Sequence, residues 1–561
     1  MTAASRLLHR RSQPSLLTVL PTERAVRTAP IARLLDRQAP TLLGDPQGRP
    51  GIAGTAYDTA WLASVPAERR KHSGHFPSAL QWLVEHQHAD GSWGGSLRYE
   101  HDRLICTLAA LPALATFGRR SADHAGVQRG TRYLWQHGHL LQSEKMELVG
   151  FELLLPALVR RAQQAGIPVP PYLNAYDQQR EEKLRLLPPA ALYSPRTTVA
   201  HSLEFLGDQA DLAGLRTTQA ANGAIGNSPA ATAFYYTLSG DAQALTYLEE
   251  CIARTDGVMA PVLHPCETFE TLWSAYHLHL AGIPSQVLLD QAERVALRQA
   301  LATGGVSLSP SFPIPDADDT AVALLLLHDL GEPTDVRVLD SFARPDGHYV
   351  TFPFERHSSV GVNVHVLHAL SRLPGHPERH AAIDQLLDYL ADQQCDGMYW
   401  LDKWHISPYY ATSHALCVLS QLPARHQLAA QPLITCSAEW LRQTQNPDGS
   451  WGFYGQATAE ETAYAVLGLA TMSAGERSPR DRQRCLAGVR YLDGVMASAS
   501  TSDDDCFPPM WIDKCLYRPT LVVRTVIVAA QALGKRLRCL DRSGEDRGKV
   551  AIVPRQRSYS R

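Results

Sequence analysis

The sequence predicts an all-α protein folded as two α-barrels, and three observations carry that expectation. Segments such as Leu104–Phe117, Ala321–Leu330, Val362–Leu373, Ala411–Leu422, Thr462–Met472 and Leu521–Leu533 concentrate Ala, Leu and Val at helical spacing. Short Gly, Pro or Asp-Gly turns separate them, and strand signals are scarce. A turn motif also recurs along the chain.

The motif has the form QxxDGSWG at Gln87–Gly94 and again at Gln445–Gly452. Gln393–Trp400 is a stretched copy, and Gln219–Ile225 and Arg344–Tyr349 are eroded ones. Asp-Gly makes a tight turn with positive φ at glycine. The Gln amide can bond the turn backbone or the next helix end, while Trp packs on the helix that follows. Turns of this kind tie successive helix pairs together, as a closed α-barrel requires.

Composition narrows the function classes. Apolar content of 45%, charged content of 19% and a net charge of −3 describe an ordinary globular chain with no polyanion partner such as nucleic acid. Apolar runs stop well short of the roughly 18–20 residues that span a bilayer. The ten cysteines form no CxxC pair, which reads as reduced thiols in a cytoplasmic protein. Residues 1–45 are basic, the first 37 carrying Arg6, Arg10, Arg11, Arg24, Arg27, Arg33 and Arg37 against Glu23 and Asp36. They read as a disordered extension, with a transit peptide as the alternative. Residues 541–561 read as a disordered tail.

The residues most suggestive of chemistry are Asp316, Asp318 and Asp319, which run directly into Ala321–Leu327. Crowded carboxylates oppose one another's ionisation and can hold a carboxyl protonated near neutral pH. A protonated acid facing an apolar cavity can donate to a carbon–carbon double bond. Asp and Thr before an apolar run are equally the residues that cap a helix.

Motifs in a fixed order add to this one. They are Ala56–Trp61, Phe76–Trp82, His101–Thr107, Gly150–Glu152, His201–Glu204, Asn227–Ala233, the DxDD at 316–319, Asp402–Tyr410, Glu460–Tyr464 and Trp511–Tyr517. In this order, with the Gln/Trp turns, the chain resembles the class II diterpene cyclases of copalyl diphosphate synthase type, in their microbial branch. The resemblance covers about residues 55–520.

The resemblance implies a βγ didomain with γ at 73–289, β at 46–72 plus 290–540, and the active site between them. It makes Asp318 the proton donor, supported by Asp316 and Asp319, with Asn363 orienting it. Trp273, Phe312, Tyr349, Phe352, Trp404, Tyr409 and Tyr410 become candidates for stabilising carbocations. His201 matches a histidine that holds the deprotonating water in relatives making the ent-copalyl skeleton. The companion asparagine position holds Val262, which points away from that product.

Mg²⁺ is the implied cofactor, with Glu144 and Glu147 as candidate ligands. Arg103, Lys403 and Lys514 are candidates for the diphosphate. No DDxxD motif is found, and Asp503–Asp505 lacks its spaced partner. The diphosphate is therefore expected to stay on the product, and the resemblance implies geranylgeranyl diphosphate as substrate with a labdane, halimadane or clerodane product. A class I terpene synthase or a phosphatase would act next, and the expected assembly is a monomer or homodimer. Farnesyl diphosphate cyclisation to a drimane and a non-catalytic prenyl-binding barrel are the alternatives.

Overall fold

The computed structural model describes residues 51–542, apart from 68–69, 144–145, 256, 356, 474–475, 479 and 499–505. The N-terminal extension, the C-terminal tail, Glu144 and Asp503–Asp505 lie outside the described residues.

Two rings of helices form the molecule. In the first barrel the inner ring is α1 (Ala56–Ala63), α2 (Glu100–Phe117), α3 (Phe151–Gln164), a 3-10 segment (Thr198–Gln209) and α4 (Pro229–Ser239), which packs back on α1. Helices Pro77–Glu85, Ser121–His137, Tyr176–Leu186 and Ala242–Ala253 lie outside it. The second inner ring is α5 (Glu267–Leu280), α6 (Ala317–Asp329), α7 (Val360–Arg372), α8 (Pro408–Leu419), α9 (Ala459–Thr471) and α10 (Thr520–Arg542), with α10 closing on α5. Helices Gln291–Ala302, Arg379–Asp392, Ala424–Gln443 and Asp481–Ser498 surround that ring.

Inner helices are apolar on nearly every face because both the lumen side and the outer-helix side are covered. Every residue of α8 is buried, as is α6 from Ala317 to Leu327. The strands described are three two-residue to five-residue pairs that join loops.

The Gln/Trp turns act as clamps. Gln87 Nε2 donates to the Gly91 carbonyl at 2.8 Å and to the Gly126 carbonyl of an outer helix at 2.9 Å. Gln445 repeats both bonds, to Gly449 and Arg484. Trp93, Trp400 and Trp451 each donate the indole N–H to the preceding helix, at Leu83, Leu390 and Leu441. Their backbone N–H groups reach Thr107, Thr412 and Thr462 on the following inner helix. The tryptophan thus ties the preceding helix as well as the following one. Gly91 has φ +95°, and a Cβ there would lie 2.5 Å from the Arg129 carbonyl, so the turn requires glycine.

The expected domain boundaries need correction. The described part of 46–72 was assigned to β, yet α1 packs on α2 and α4 in the first barrel. Helix α5 was assigned to γ, yet it sits between α6 and α10 in the second. The chain changes barrel between Leu263 and Glu267. Strand Gly54–Thr55 pairs with Ala260–Pro261, which brings entry and exit together.

Candidate active site

The N-terminal ends of the inner helices of both barrels face a common seam. Hairpin 511–517 fastens it. Leu516 N–H donates to Asp102 at the start of α2, at 2.8 Å, and the Asp513 carbonyl accepts from Val149 just ahead of α3. From the other side, Asn227 of the first barrel donates to Ser311 at 3.0 Å.

The acidic motif opens α6 at this seam. Asp316 is its N-cap and accepts the Asp319 N–H at 2.7 Å, so the capping expectation holds for that residue. Asp318 and Asp319 occupy the first turn, and all three are buried. Asp318 Oδ1 lies 2.6 Å from His365 Nδ1, whose Nε2 lies 3.0 Å from His414 Nδ1. Asp319 Oδ1 has no partner.

Burial pushes the Asp316 carboxyl far above the carboxylate range, and the neighbouring Asp319 adds to the rise. Asp319 is pushed up to about 8, by burial first and then by Asp318. Burial, reinforced by His365 and His277, keeps His414 well below the usual histidine range.

The expected role of Asn363 is not supported by geometry. Its amide accepts the Tyr349 N–H at 2.8 Å and donates to the Tyr349 and Ser359 carbonyls at 2.9 and 2.7 Å. The group on Asp318 is His365, two residues further along α7. A histidine inside the apolar run Val360–Leu370 was the available signal, and His414 in α8 is a second one.

Trp273 of α5 is the centre of the aromatic wall. Its ring meets His365 at 4.8 Å, Trp511 at 5.9 Å, His414 at 6.1 Å and Tyr410 at 6.2 Å between centroids. Phe312, Ile314 and Phe352 form a separate apolar group with Leu308 and Trp404, beside the acidic loop. Trp404 Nε1 donates to Thr351, whose carbonyl accepts the Ala317 N–H. Tyr409 stacks instead on Trp440 of an outer helix at 4.7 Å, and Tyr349 is held by Asn363 within the main core. Trp511 was noted in the sequence only as the start of a motif, not as part of this wall, because its loop has no helical pattern to give its direction.

Across the seam, His201 Nδ1 lies 2.8 Å from the Gly226 carbonyl and Nε2 lies 3.0 Å from Asp513. Both nitrogens already face protein acceptors, so neither points toward a water or a substrate. Asp513 is held below the usual carboxylate range despite its burial, chiefly by His201.

The three candidate diphosphate ligands are engaged elsewhere. Lys514 is buried and donates to Glu204 at 2.9 Å, Ser228 at 2.5 Å and the His201 carbonyl at 3.0 Å. Lys403 bonds Glu355 at 2.6 Å, and Arg103 bonds Ser92 and the Ser96 carbonyl. Lys514→Met should therefore cost about 3–5 kcal/mol of stability, because it leaves Glu204 and Asp58 buried without their cation. A chemical denaturation curve matching the parent would contradict this.

Glu147 is exposed, and its carboxyl is raised by partial burial and by nearby Glu152. Glu152 in turn pairs with Lys183 at 2.6 Å. That pairing leaves Glu147 as the described candidate carboxylate for an ion bound mainly through phosphate and water. The cluster Asp102, Cys106 and Cys515 does not suit Mg²⁺, since two of its donors are soft thiols.

The titrations set a pH dependence for stability. His101 and His277 are lowered by burial to about 4 and about 3, so each adds stability as pH rises from its folded value to about 6.5. Asp58 and Glu461 are raised by burial to about 7 and Asp319 to about 8, so each removes stability between about pH 4 and its folded value. Asp319→Asn should remove that group's share, so stability should fall less steeply, or rise more, between about pH 4 and 8 than in the parent. Thermal unfolding with an unchanged slope over that range in the variant would refute the assignment.

A model of the squalene-hopene cyclase C-terminal domain matches residues 354–518. The chain is 32% identical over 518 residues to a type B diterpene cyclase of Mycobacterium tuberculosis, covering 88% of this chain and 97% of that protein. It is also 32% identical over 517 residues to an ent-copalyl diphosphate synthase of Streptomyces sp. strain KO-3988, covering 88% and 94%. Among solved structures, ent-copalyl diphosphate synthase from Streptomyces platensis matches with a TM-score of 0.71 at 28% identity, over 90% of this chain and 100% of that one. No helix among the described residues is long and apolar enough to cross a membrane.

Proposed function

The chain belongs to the class II diterpene cyclases, and from that membership we propose that it protonates geranylgeranyl diphosphate from Asp318 and closes it to a bicyclic diphosphate. The observation that carries this reading is the contact between Asp318 Oδ1 and His365 Nδ1 at the mouth of α6. With Oδ1 held, Oδ2 carries the proton. His365 can then donate to Oδ1 as the carboxylate forms, while His414 supports its far nitrogen. Asp316 and Asp319, both raised by burial, keep neighbouring negative charge low until transfer.

The tertiary cation formed at the chain end needs a folded substrate and exclusion of water. Trp273, with Tyr410 and Trp511 around it, supplies ring faces worth about 0.5–2 kcal/mol each toward a cation. The diphosphate takes no part in the ring closures and stays on the product, leaving it for a class I synthase or a phosphatase. Mg²⁺ would neutralise that group, with Glu147 the described one of the two residues expected to hold it.

The product is a labdane, halimadane or clerodane diphosphate other than ent-copalyl diphosphate. Val262 offers no hydrogen bond to a terminating water, and His201 has both nitrogens occupied. Parallel assays with C20 and C15 diphosphates and Mg²⁺, followed by phosphatase treatment, test the reading. The C20 arm should yield a bicyclic alcohol, and chiral chromatography should separate it from ent-copalol. Turnover confined to farnesyl diphosphate would replace this reading with the drimane one, and ent-copalol as main product would remove the argument from Val262.

A further inference from the structure

The first barrel has a lumen of its own, away from Asp318. A cavity of about 600 Å³ opens among the C-terminal ends of its inner helices, lined by Trp61, Phe117, Leu158, Arg161, Phe205 and Phe234 among others. That size suits a ligand with a long apolar body. The mechanism above makes no use of it.

Arg161 is the unusual member of the lining. Its guanidinium lies 4.0 Å over the Trp61 ring, Nη2 donates to Ser64 at 2.5 Å, and Nη1 has no partner. Among the described residues no carboxylate pairs with it. Glu204 at the floor is neutralised by Lys514, and Arg160 at the mouth pairs with Asp177 at 2.9 Å. Asp208, the other acid of the lining, is exposed at the rim and bonds Gln164. Burial pushes Arg161 down to about 10, and no described acid of the lining is left to answer its charge.

We infer that this lumen binds a second molecule of prenyl diphosphate, its diphosphate on Arg161 and its isoprenoid chain against Trp61, Phe234 and Leu158. The ligand identity rests on the substrate proposed above, the anionic molecule with a long apolar chain that such an enzyme meets. The geometry by itself asks for an anion joined to an apolar tail.

The test uses full-length Asp318→Asn protein, which should retain substrate unreacted, with labelled geranylgeranyl diphosphate and Mg²⁺ in equilibrium gel filtration. Two equivalents should bind per chain. Adding Arg161→Met should weaken one of them roughly ten- to a hundredfold, as loss of a charged hydrogen bond implies. Adding Ala157→Trp, which fills the lumen from α3, should remove the same equivalent.

Each of these two changes in the parent enzyme should leave turnover within about twofold, a control against misfolding. One equivalent in the Asp318→Asn protein, or two in both double variants, would overturn the inference and leave the cyclase reading standing. No binding at all would defeat both.

Discussion

Asp318→Asn protein should give no bicyclic product from geranylgeranyl diphosphate, a loss of at least about 10³-fold in kcat, while remaining folded. General acid catalysis is commonly worth 10²–10⁴-fold. Here protonation starts the reaction, and an amide is a far weaker acid than a carboxylic acid. Stability should hold or rise, because the substitution removes one of three crowded buried acids. Product release measured by chromatography and thermal unfolding of the same sample decide the matter. Activity within tenfold of the parent would mean that the proton comes from another group.

The second large effect concerns His365. His365→Phe removes the group 2.6 Å from Asp318 and should lower kcat by about 10²-fold with KM little changed, the signature of an interaction made in the transition state. His365→Asn keeps a short donor and should recover part of the loss. The pH profile of kcat should also shift between parent and variant, since the acid has lost its partner. Asn363→Ala provides the contrast. It removes three buried hydrogen bonds to Tyr349 and Ser359 and should cost about 2–4 kcal/mol, yet folded enzyme should turn over almost normally. A kcat loss in Asn363→Ala as large as in His365→Phe would put the orienting role back on the asparagine.

The two residues show where sequence reading stops. The apolar spacing of Val362–Leu373 located α7, and the resemblance pointed to Asn363 on it. Two residues on a helix are about 200° apart, so Asn363 and His365 face nearly opposite ways. Choosing between them requires the direction of the lumen, which depends on the packing of the whole ring. The acidic motif was legible because three carboxylates entering an apolar run conflict with ordinary core composition. The Gln/Trp turns were legible because glycine at positive φ and a buried tryptophan leave a strict local pattern.

Other expectations failed for a related reason. Lys403 and Lys514 read as available cations, but sequence does not reveal that Glu355 and Glu204 come within 3 Å of them. The barrel boundaries were misplaced because α1 and α5 have similar apolar patterns, and only their neighbours distinguish them. Tyr409 and Tyr410 are adjacent in sequence, yet one packs outward on Trp440 and the other toward Trp273.

Hairpin 511–517 has a consequence for product selection. At one end Trp511 stands beside Trp273, and a few residues on Asp513, Lys514 and Leu516 are bolted to the first barrel. The first barrel therefore works as a gauge block for the second. If the seam slips by a fraction of an ångström, Trp511 moves relative to Asp318 while the acid itself is unaltered. Changes at Asp102, His201 or Asp513 should then redistribute products among skeletons sooner than they stop proton transfer, so the barrel without the acid helps decide which ring system leaves the enzyme.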